Sequence, residues 1–392
     1  MMKHVRVSPA ACYSVFTTSA GADEYHIVIG PEPDSFAKAL TDAVAIYTDL
    51  IKSIGLSMDT QVFTRIHTGD LSNQFDSLHH SKLYDIAVDG GYSFVEQSPL
   101  NDRQLTFFAY HVKNAKKPLM KTSVRDSGRR PSNHVSIAGE HYTLFYAANY
   151  QRPAPFTSYD QTKMIFEDYD SFLHEHGQTL LDNVIRTWMF VRDIGNHYRG
   201  MVDARREYFN EHGLTKYSRY LASTGIEGRS RESWVLVDMD ALSYAGIREE
   251  QIVRMEAPEN MCPTHDYNVT FERGVKVTFG DREQMFISGT ASIDNKGEIL
   301  FPADARKQTE RAVENIRALL KPNGSDLADL AYAIVYLRCP ADARAVLGVL
   351  DELFPKDLPV VRVHAPVCRP GWLVEIEGVA IRDAKHSVPD FL

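Results

Sequence analysis

The chain has 392 residues, of which 44% are apolar and 24% charged, and its formal net charge is −9. These values are typical of a folded globular protein of two or three domains and exclude a disordered or fibrous chain. Nucleic acids and anionic membranes bind clustered basic surfaces, so the acidic balance argues against both as partners, and local arginines must hold any anionic substrate.

Three segments of equal length have helical periodicity and end at a glycine. They cover residues 39–55, 161–177 and 308–324, and the second and third both begin Gln-Thr. In the third segment apolar side chains recur along one helical face, and the glycine supplies the left-handed residue that commonly ends a helix. We therefore predict one helix repeated three times.

A strand-like stretch follows each of these glycines, and a second helix follows the strand in the last two copies. Each copy then closes on a pair of strands. The stretches are residues 62–70, 184–193 and 332–342 for the strands, 197–213 and 342–355 for the helices, and 92–112, 219–242 and 361–381 for the closing pairs. Residues 236–240 and 373–377 alternate with the period of a strand that has one buried face.

The repeated order predicts the fold class α/β (α+β), with three tandem units that each join a β-sheet to two helices. We place the units at residues 1–118, 132–245 and 264–392. A basic polar stretch separates the first two, and Pro258 and Pro263 mark the second boundary.

The chain offers little for a metal or cofactor. Its four cysteines show no CxxC spacing and its fifteen histidines form no HExxH motif, so we predict neither a metal nor an organic cofactor. We interpret the paired histidines at 79–80 and 174/176 as solvated surface residues. The N-terminal stretch lacks a secretory signal and no run reaches about 18 apolar residues, which predicts a cytoplasmic protein with no membrane partner.

The last unit resembles the YjgF-like (Rid, endoribonuclease L-PSP) superfamily in four ordered blocks, at residues 286–294, 308–320, 327–338 and 365–381. The resemblance implies the chorismate-mutase-like fold of that superfamily, whose single-unit members form trimers with active clefts between neighbours. Three units in one chain can reproduce that trimer as an intramolecular pseudo-trimer, so the resemblance implies a monomer rather than a homotrimer. It also implies that an arginine on the penultimate strand, here Arg362, pairs with a glutamate on the last strand, here Glu375. Arginine can hold a carboxylate through two hydrogen bonds, and glutamate can transfer a proton.

The middle unit is similar to the chorismatase branch in the blocks RTWMFVRDI, YRGMVDARREYF and LASTGIEGR. This resemblance implies hydrolysis of the enolpyruvyl ether of chorismate, with pyruvate released and Glu375 as the general acid. Chorismate carries two carboxylates, so at least two arginines should bind it. The candidates are Arg362, Arg205, Arg219 and Arg273.

Further candidates surround this predicted site. Glycines there would let a ligand approach the backbone, which adds Thr224-Gly225 and Gly289-Thr290 to the substrate-binding set. His364 stands where the family often has cysteine, and it either carries a second proton or fills the site. Cys368 is assigned to the substrate site as a buried apolar side chain rather than a nucleophile.

Two alternatives to a chorismatase-like hydrolase stay open at this point. One is imine or enamine hydrolysis, the common activity of the single-unit family, and the other is a non-catalytic protein that binds a small carboxylate. The first unit shows Ser98, Pro99 and Phe107 where the site residues would stand. We therefore expect that unit to be degenerate and structural.

Overall fold

The structure is a computed structural model that describes residues 1–18, 22–32, 35–125, 132–152, 154, 157–267 and 269–392. Its described residues form three six-stranded mixed sheets with helices packed against them, which confirms the predicted α+β class. In each sheet one pair of strands is parallel and joined through helices, as a parallel pair requires. Among these residues no helix is both long and apolar enough to cross a bilayer.

The first sheet has the strand order β1-β2-β3-β6-β4-β5. Its elements are β1 (Met2–Ser8), β2 (Ala11–Phe16), β3 (Ala22–Ile29), α1 (Phe36–Ser53), β4 (Gln61–Thr68), α2 (Leu71–His79), α3 (Lys82–Ala87), β5 (Gly91–Glu96) and β6 (Leu105–Asn114). Strands β4 and β5 are the parallel pair.

The second sheet has the order β11-β10-β12-β9-β8-β7. Its elements are β7 (Met120–Val124), β8 (Asn133–Ala138), β9 (Thr143–Gln151), α4 (Ser158–Glu175), α5 (Leu180–Asn183), β10 (Val184–Val191), α6 (Ile194–Glu211), β11 (Ala222–Glu227) and β12 (Val237–Ala245). Strand β7 lies before residue 132, where the sequence places the start of this unit.

The third sheet has the order β13-β14-β15-β18-β16-β17. Its elements are β13 (Ile252–Met255), β14 (Gly274–Thr278), β15 (Arg282–Ala291), α7 (Ala305–Leu320), β16 (Leu330–Leu337), α8 (Ala343–Leu353), β17 (Val360–His364) and β18 (Val374–Asp383). Strand β13 lies before residue 264, the predicted start of this unit.

The repeated long helices α1, α4 and α7 follow from local chemistry. In α7 the Asp304 side chain accepts a hydrogen bond from the Lys307 backbone amide, which satisfies one free donor of the first turn. The glycines after the helices, Gly55, Gly177 and Gly324, have φ of 71°, 67° and 70°. These left-handed residues confirm the predicted helix ends, because other residues adopt that conformation only at a cost.

One apolar cluster takes side chains from all three sheets. Phe63 of β4, Trp188 of β10 and Ile334 of β16 all belong to it and are at most 2% exposed. The three units therefore share a core. As a consequence, each pair of neighbouring units has an interface of its own, and residues at those interfaces can meet from different units.

Candidate active site

A cleft lies between the middle and last units. The middle unit contributes α6 and β11, and the last unit contributes β15, β18 and the loop before β18. Two hydrogen bonds join β11 of the middle unit to β15 of the last unit. The Ser223 amide donates to Ser288 Oγ over 2.9 Å, and the Gly289 amide donates to Thr224 Oγ1 over 3.0 Å. The cleft thus depends on both units.

Seven of the residues predicted from the sequence line this cleft. They are Arg205, Thr224, Gly225, Arg273, Gly289, Cys368 and Glu375. The space open to the centre of a water-sized sphere is about 30 Å³, so the cleft is narrow. Two of its lining side chains, Tyr198 and Arg369, are half-buried.

Glu375 on β18 has the properties of a carboxylic acid that stays protonated at neutral pH. It is 5% exposed, and burial, followed by the like charge of Glu377, raises the pKa of its carboxyl to about 8. Among the residues that the structure describes, none donates a hydrogen bond to it. Desolvation disfavours the charged form of such a group, which leaves a proton available inside the cleft.

Gly289 makes room for this carboxyl group. A Cβ atom at that position would lie 2.1 Å from Glu375 Oε1 and 2.8 Å from its Cδ, both too close for any real contact. The ladder between β15 and β18 is interrupted between Ile287 and Thr290, and Gly289 lies in this bulge. Bulges of this kind re-aim the chain beside functional sites.

Glu377, two residues further along the same strand, is held by the middle unit. Its Oε2 accepts a hydrogen bond from Arg186 over 2.7 Å and its Oε1 accepts one from the Trp188 indole over 2.6 Å. Arg186 also donates to Thr224 Oγ1 over 2.6 Å. This buried charge-assisted network holds the Glu377 side chain in place, two residues from Glu375 on the same strand.

Arg205 on α6 is a buried cation that has no carboxylate partner among the described residues. It is 2% exposed and donates only to hydroxyls, Thr270 Oγ1 and Ser223 Oγ, each over 3.2 Å. Burial lowers the pKa of its guanidinium. Because buried charges are normally paired, the arrangement favours an anionic ligand as the missing counter-ion.

Arg273 and Cys368 complete the predicted lining. Arg273 donates to the Cys262 carbonyl over 2.9 Å and lies near enough to Glu375 to lower its pKa. Burial, followed by the charge of Glu375, raises the pKa of the Cys368 thiol to about 12. A thiol that stays protonated is a poor nucleophile, in agreement with its interpretation as an apolar lining residue.

The expected pairing of Arg362 with Glu375 is wrong in this structure. Arg362 lies 3.9 Å from Asp351, and its strand β17 faces the first unit, since the Leu100 amide donates to the Arg362 carbonyl over 3.0 Å. Glu375 faces the middle unit instead. Val335 of β16 pairs with both Arg362 of β17 and Ile376 of β18, so Glu375 is one residue out of register with Arg362 and lies on the opposite face of the sheet.

His364, Arg219 and Thr290 also lie outside the cleft lining. His364 Nε2 is 3.1 Å from the Arg338 carbonyl and therefore acts as a donor there. Arg219 donates to the carbonyls of Leu181 and Val184 over 2.8 and 2.9 Å and stabilises a loop. The Thr290 hydroxyl is used on the Ser288 carbonyl over 2.8 Å.

Sequence reasoning missed Arg186 and Trp188 as site residues. Both belong to the Arg-Thr-Trp block and lie two residues apart on β10, so they share one face of the strand. A polar arginine at such a position in a fully buried strand is the signal that could have identified them. Among the described residues no group of three or more His, Cys, Asp or Glu side chains could hold a metal.

Comparisons with known proteins relate the chain to several relatives. The endoribonuclease L-PSP family matches residues 270–382. A 3-hydroxybenzoate synthase from Streptomyces hygroscopicus is 28% identical over 248 residues, 57% of this chain and 69% of that protein. The 3-aminoacrylate deaminase RutC from Acinetobacter baylyi is 31% identical over 97 residues, 24% of this chain and 77% of that protein.

One solved structure resembles nearly the whole chain. A crystal structure of a chorismatase aligns with a TM-score of 0.66 and 18% sequence identity, and the alignment covers 93% of this chain and all of the other. At this identity the likeness shows the fold. The three-unit arrangement is therefore shared by another protein over its full length.

Proposed function

Because this chain belongs to the YjgF-like superfamily and is close to its chorismatases, we propose that it hydrolyses the enolpyruvyl ether of chorismate or a related carboxylate and releases pyruvate. The observation that carries the proposal is the meeting of Glu375 and Arg205 in one cleft. A carboxyl group with a pKa of about 8 can donate a proton at neutral pH, and an arginine without a counter-ion can hold the substrate carboxylate.

In this mechanism Glu375 protonates the terminal methylene carbon of the enol ether. The electron pair of the double bond forms the new C–H bond and leaves an oxocarbenium ion at the ether carbon. Water adds to that carbon and returns a proton to the Glu375 carboxylate. The resulting hemiketal then breaks its bond to the ring oxygen: the hydroxyl oxygen forms the carbonyl of pyruvate, and its proton passes to the ring oxygen, which leaves as an alcohol.

Side chains of the cleft can stabilise the positive charge of the oxocarbenium ion and the negative charges of the substrate. Glu377, paired with Arg186, lies on the same strand face and favours a positive centre nearby, so it supports the oxocarbenium ion once Glu375 has donated its proton. Arg205 and Arg273 both line the cleft, and they would bind the two carboxylates of chorismate. Three units in one chain supply both sides of the cleft, and we propose that the protein works as a monomer, which sedimentation can test.

Enamine hydrolysis is a second candidate, favoured by the match to a 3-aminoacrylate deaminase. It also begins with protonation of a carbon at a double bond, which Glu375 could perform. The two reactions differ in product, because an enol ether gives pyruvate and an alcohol whereas an enamine gives ammonia.

The deciding experiment incubates the purified protein with chorismate and follows pyruvate by a coupled lactate dehydrogenase assay. A parallel reaction with freshly generated 3-aminoacrylate is followed by ammonia release. Glu375→Gln keeps the size of the side chain but has no transferable proton, so turnover at saturation should fall by about 10²–10⁴ while substrate affinity changes little.

Thermal melting of the variant confirms that it folds. Unchanged turnover at saturation would remove Glu375 from the mechanism, and ammonia without pyruvate would favour the enamine reaction.

A further inference from the structure

The middle unit repeats the carboxylate pair of the last unit at the interface with the first. The β9–β12 ladder is interrupted between Met239 and Ala241, just as the β15–β18 ladder is interrupted beside Glu377. Asp240 therefore occupies the place of Glu377, and Asp238 occupies the place of Glu375. The strand registers of the two ladders make these positions equivalent.

An arginine again holds the second carboxylate, although Arg65 takes the strand position of Trp188 and not that of Arg186. Asp240 Oδ2 accepts a hydrogen bond from Arg65 of the first unit over 2.7 Å, and both side chains are at most 2% exposed. This corresponds to the pair of Arg186 with Glu377, which are 2% and 1% exposed. In both cases an arginine from the preceding unit holds the second carboxylate of the strand.

A cavity of about 310 Å³ lies at this first interface. It is built from the elements that match those of the cleft, with β5 and α2 in place of β11 and α6, and with β8 and β9 in place of β14 and β15. Within it Asn133 takes the position of Arg273, and Asn149 takes that of Gly289. The cavity is thus the counterpart of the cleft, and we call it the first-interface cavity.

The lining of the first-interface cavity is more aromatic than that of the cleft. The walls from the first unit are aromatic, with ring centroids 6.3 Å apart for Phe75 and Phe94 and 5.7 Å apart for Tyr84 and Phe94. The β9 side contributes the side chains of Asn149 and Gln151. The lining also includes Arg231, which lies 4.4 Å from the Phe75 ring centroid and 3.7 Å from Glu232, so its charge has a partner. Aromatic walls and amide groups therefore suit a planar ring with a hydroxyl group better than they suit a dianion.

Asp238, the counterpart of the proposed acid Glu375, does not reach this cavity. Asp238 is 4% exposed, its Oδ1 has no hydrogen-bond partner in the described chain, and it does not line the cavity. Gly289 leaves space for Glu375 to reach the cleft, whereas its counterpart Asn149 carries a side chain that itself lines the cavity. A ligand here would find no proton donor in the position of Glu375.

We propose that the first-interface cavity is a second binding site, which takes a small, uncharged or singly charged, hydroxylated aromatic molecule and does not transform it. The first unit is then a ligand-binding element as well as a structural one. The proposal is independent of chorismate turnover, because it concerns binding alone at a different interface.

Isothermal titration calorimetry with 3-hydroxybenzamide tests the site, since this uncharged probe offers no carboxylate for Arg205. We expect one equivalent to bind to the intact protein. Phe75→Leu and Tyr84→Leu each keep apolar bulk but remove a ring, and each should weaken binding about three- to tenfold. The matched control is Arg205→Met in the catalytic cleft, which should leave binding of the probe unchanged.

Melting temperatures near that of the unmodified protein show that the leucine variants are folded. The proposal is overturned if the probe does not bind at millimolar concentration, if both leucine variants bind it normally, or if Arg205→Met abolishes its binding. Chorismate turnover by Phe75→Leu should equal that of the unmodified protein. If the protein does not turn over chorismate, the calorimetric measurement still shows whether the first-interface cavity binds the probe.

Discussion

Changing Glu377 to glutamine should shift the alkaline limb of the pH–rate profile to lower pH. Residues two apart on a strand are separated by about 6.6 Å, and two unit charges at that distance interact by about 2.5 kcal/mol when the effective dielectric constant is about 20. This equals about two pKa units. The pKa of Glu375, raised to about 8 in the unmodified protein, should therefore fall toward about 6.

The loss of the Glu377 charge also leaves Arg186 without its carboxylate, and this acts in the same direction because a nearby cation favours the ionised form of Glu375. At pH 8 the protonated fraction of Glu375 should drop by about 50-fold, and kcat/KM should drop with it. Below about pH 5 both proteins keep the acid protonated, so the ratio of their rates should become independent of pH. A constant difference that remains there reports the support that Glu377 gives to the oxocarbenium ion. The assay is pyruvate release across pH 5–9, with kcat/KM reporting the free enzyme.

Asp240→Asn provides a matched control. It weakens the equivalent buried pair with Arg65 at the first interface, where removal of one partner is costly by about 3–5 kcal/mol. Both variants should melt at lower temperature, but only Glu377→Gln should move the alkaline limb. If the limb of the folded Glu377→Gln protein stays at the original pH, the charge of Glu377 does not tune Glu375 and the reasoning is refuted.

Three further predictions concern the same cleft. Arg205→Met should raise KM for chorismate about tenfold or more, since a hydrogen bond to a charged group contributes about 1.5–3 kcal/mol, and it should not lower the melting temperature, because a buried charge without a counter-ion is removed. Gly289→Ala should reduce turnover nearly as much as loss of Glu375, since the new methyl group occupies the space of its carboxyl, whereas Gly225→Ala, where the nearest atom is a flexible Tyr198 carbon at 3.1 Å, should be milder. Protonated Glu375 stabilises the fold fully below pH 4.5, its ordinary pKa, and this stabilisation is lost as the pH rises through about 8, so urea unfolding of Glu375→Gln should depend less on pH across that range.

The repeated helices and their ends could be predicted from the sequence because their causes are local. A helix is specified by the spacing of apolar residues over a few turns and by the glycine that follows, and Gly55, Gly177 and Gly324 all have the expected positive φ. Similarly, the alternation around Glu375 places it on a strand with one buried face. Such features depend on neighbours within a few residues of each other.

The composition of the site was decided by how the three units meet. Arg362 and Glu375 belong to one unit but to different interfaces, whereas Arg186, from a different unit, lies close enough to hold Glu377. The raised pKa of Glu375 is also a product of that assembly, since burial by two units causes most of it. The sequence thus determined which elements form and which residue types they carry, and the packing of unit against unit determined which side chains become neighbours, because contacts between distant segments depend on the shape of the whole shared core.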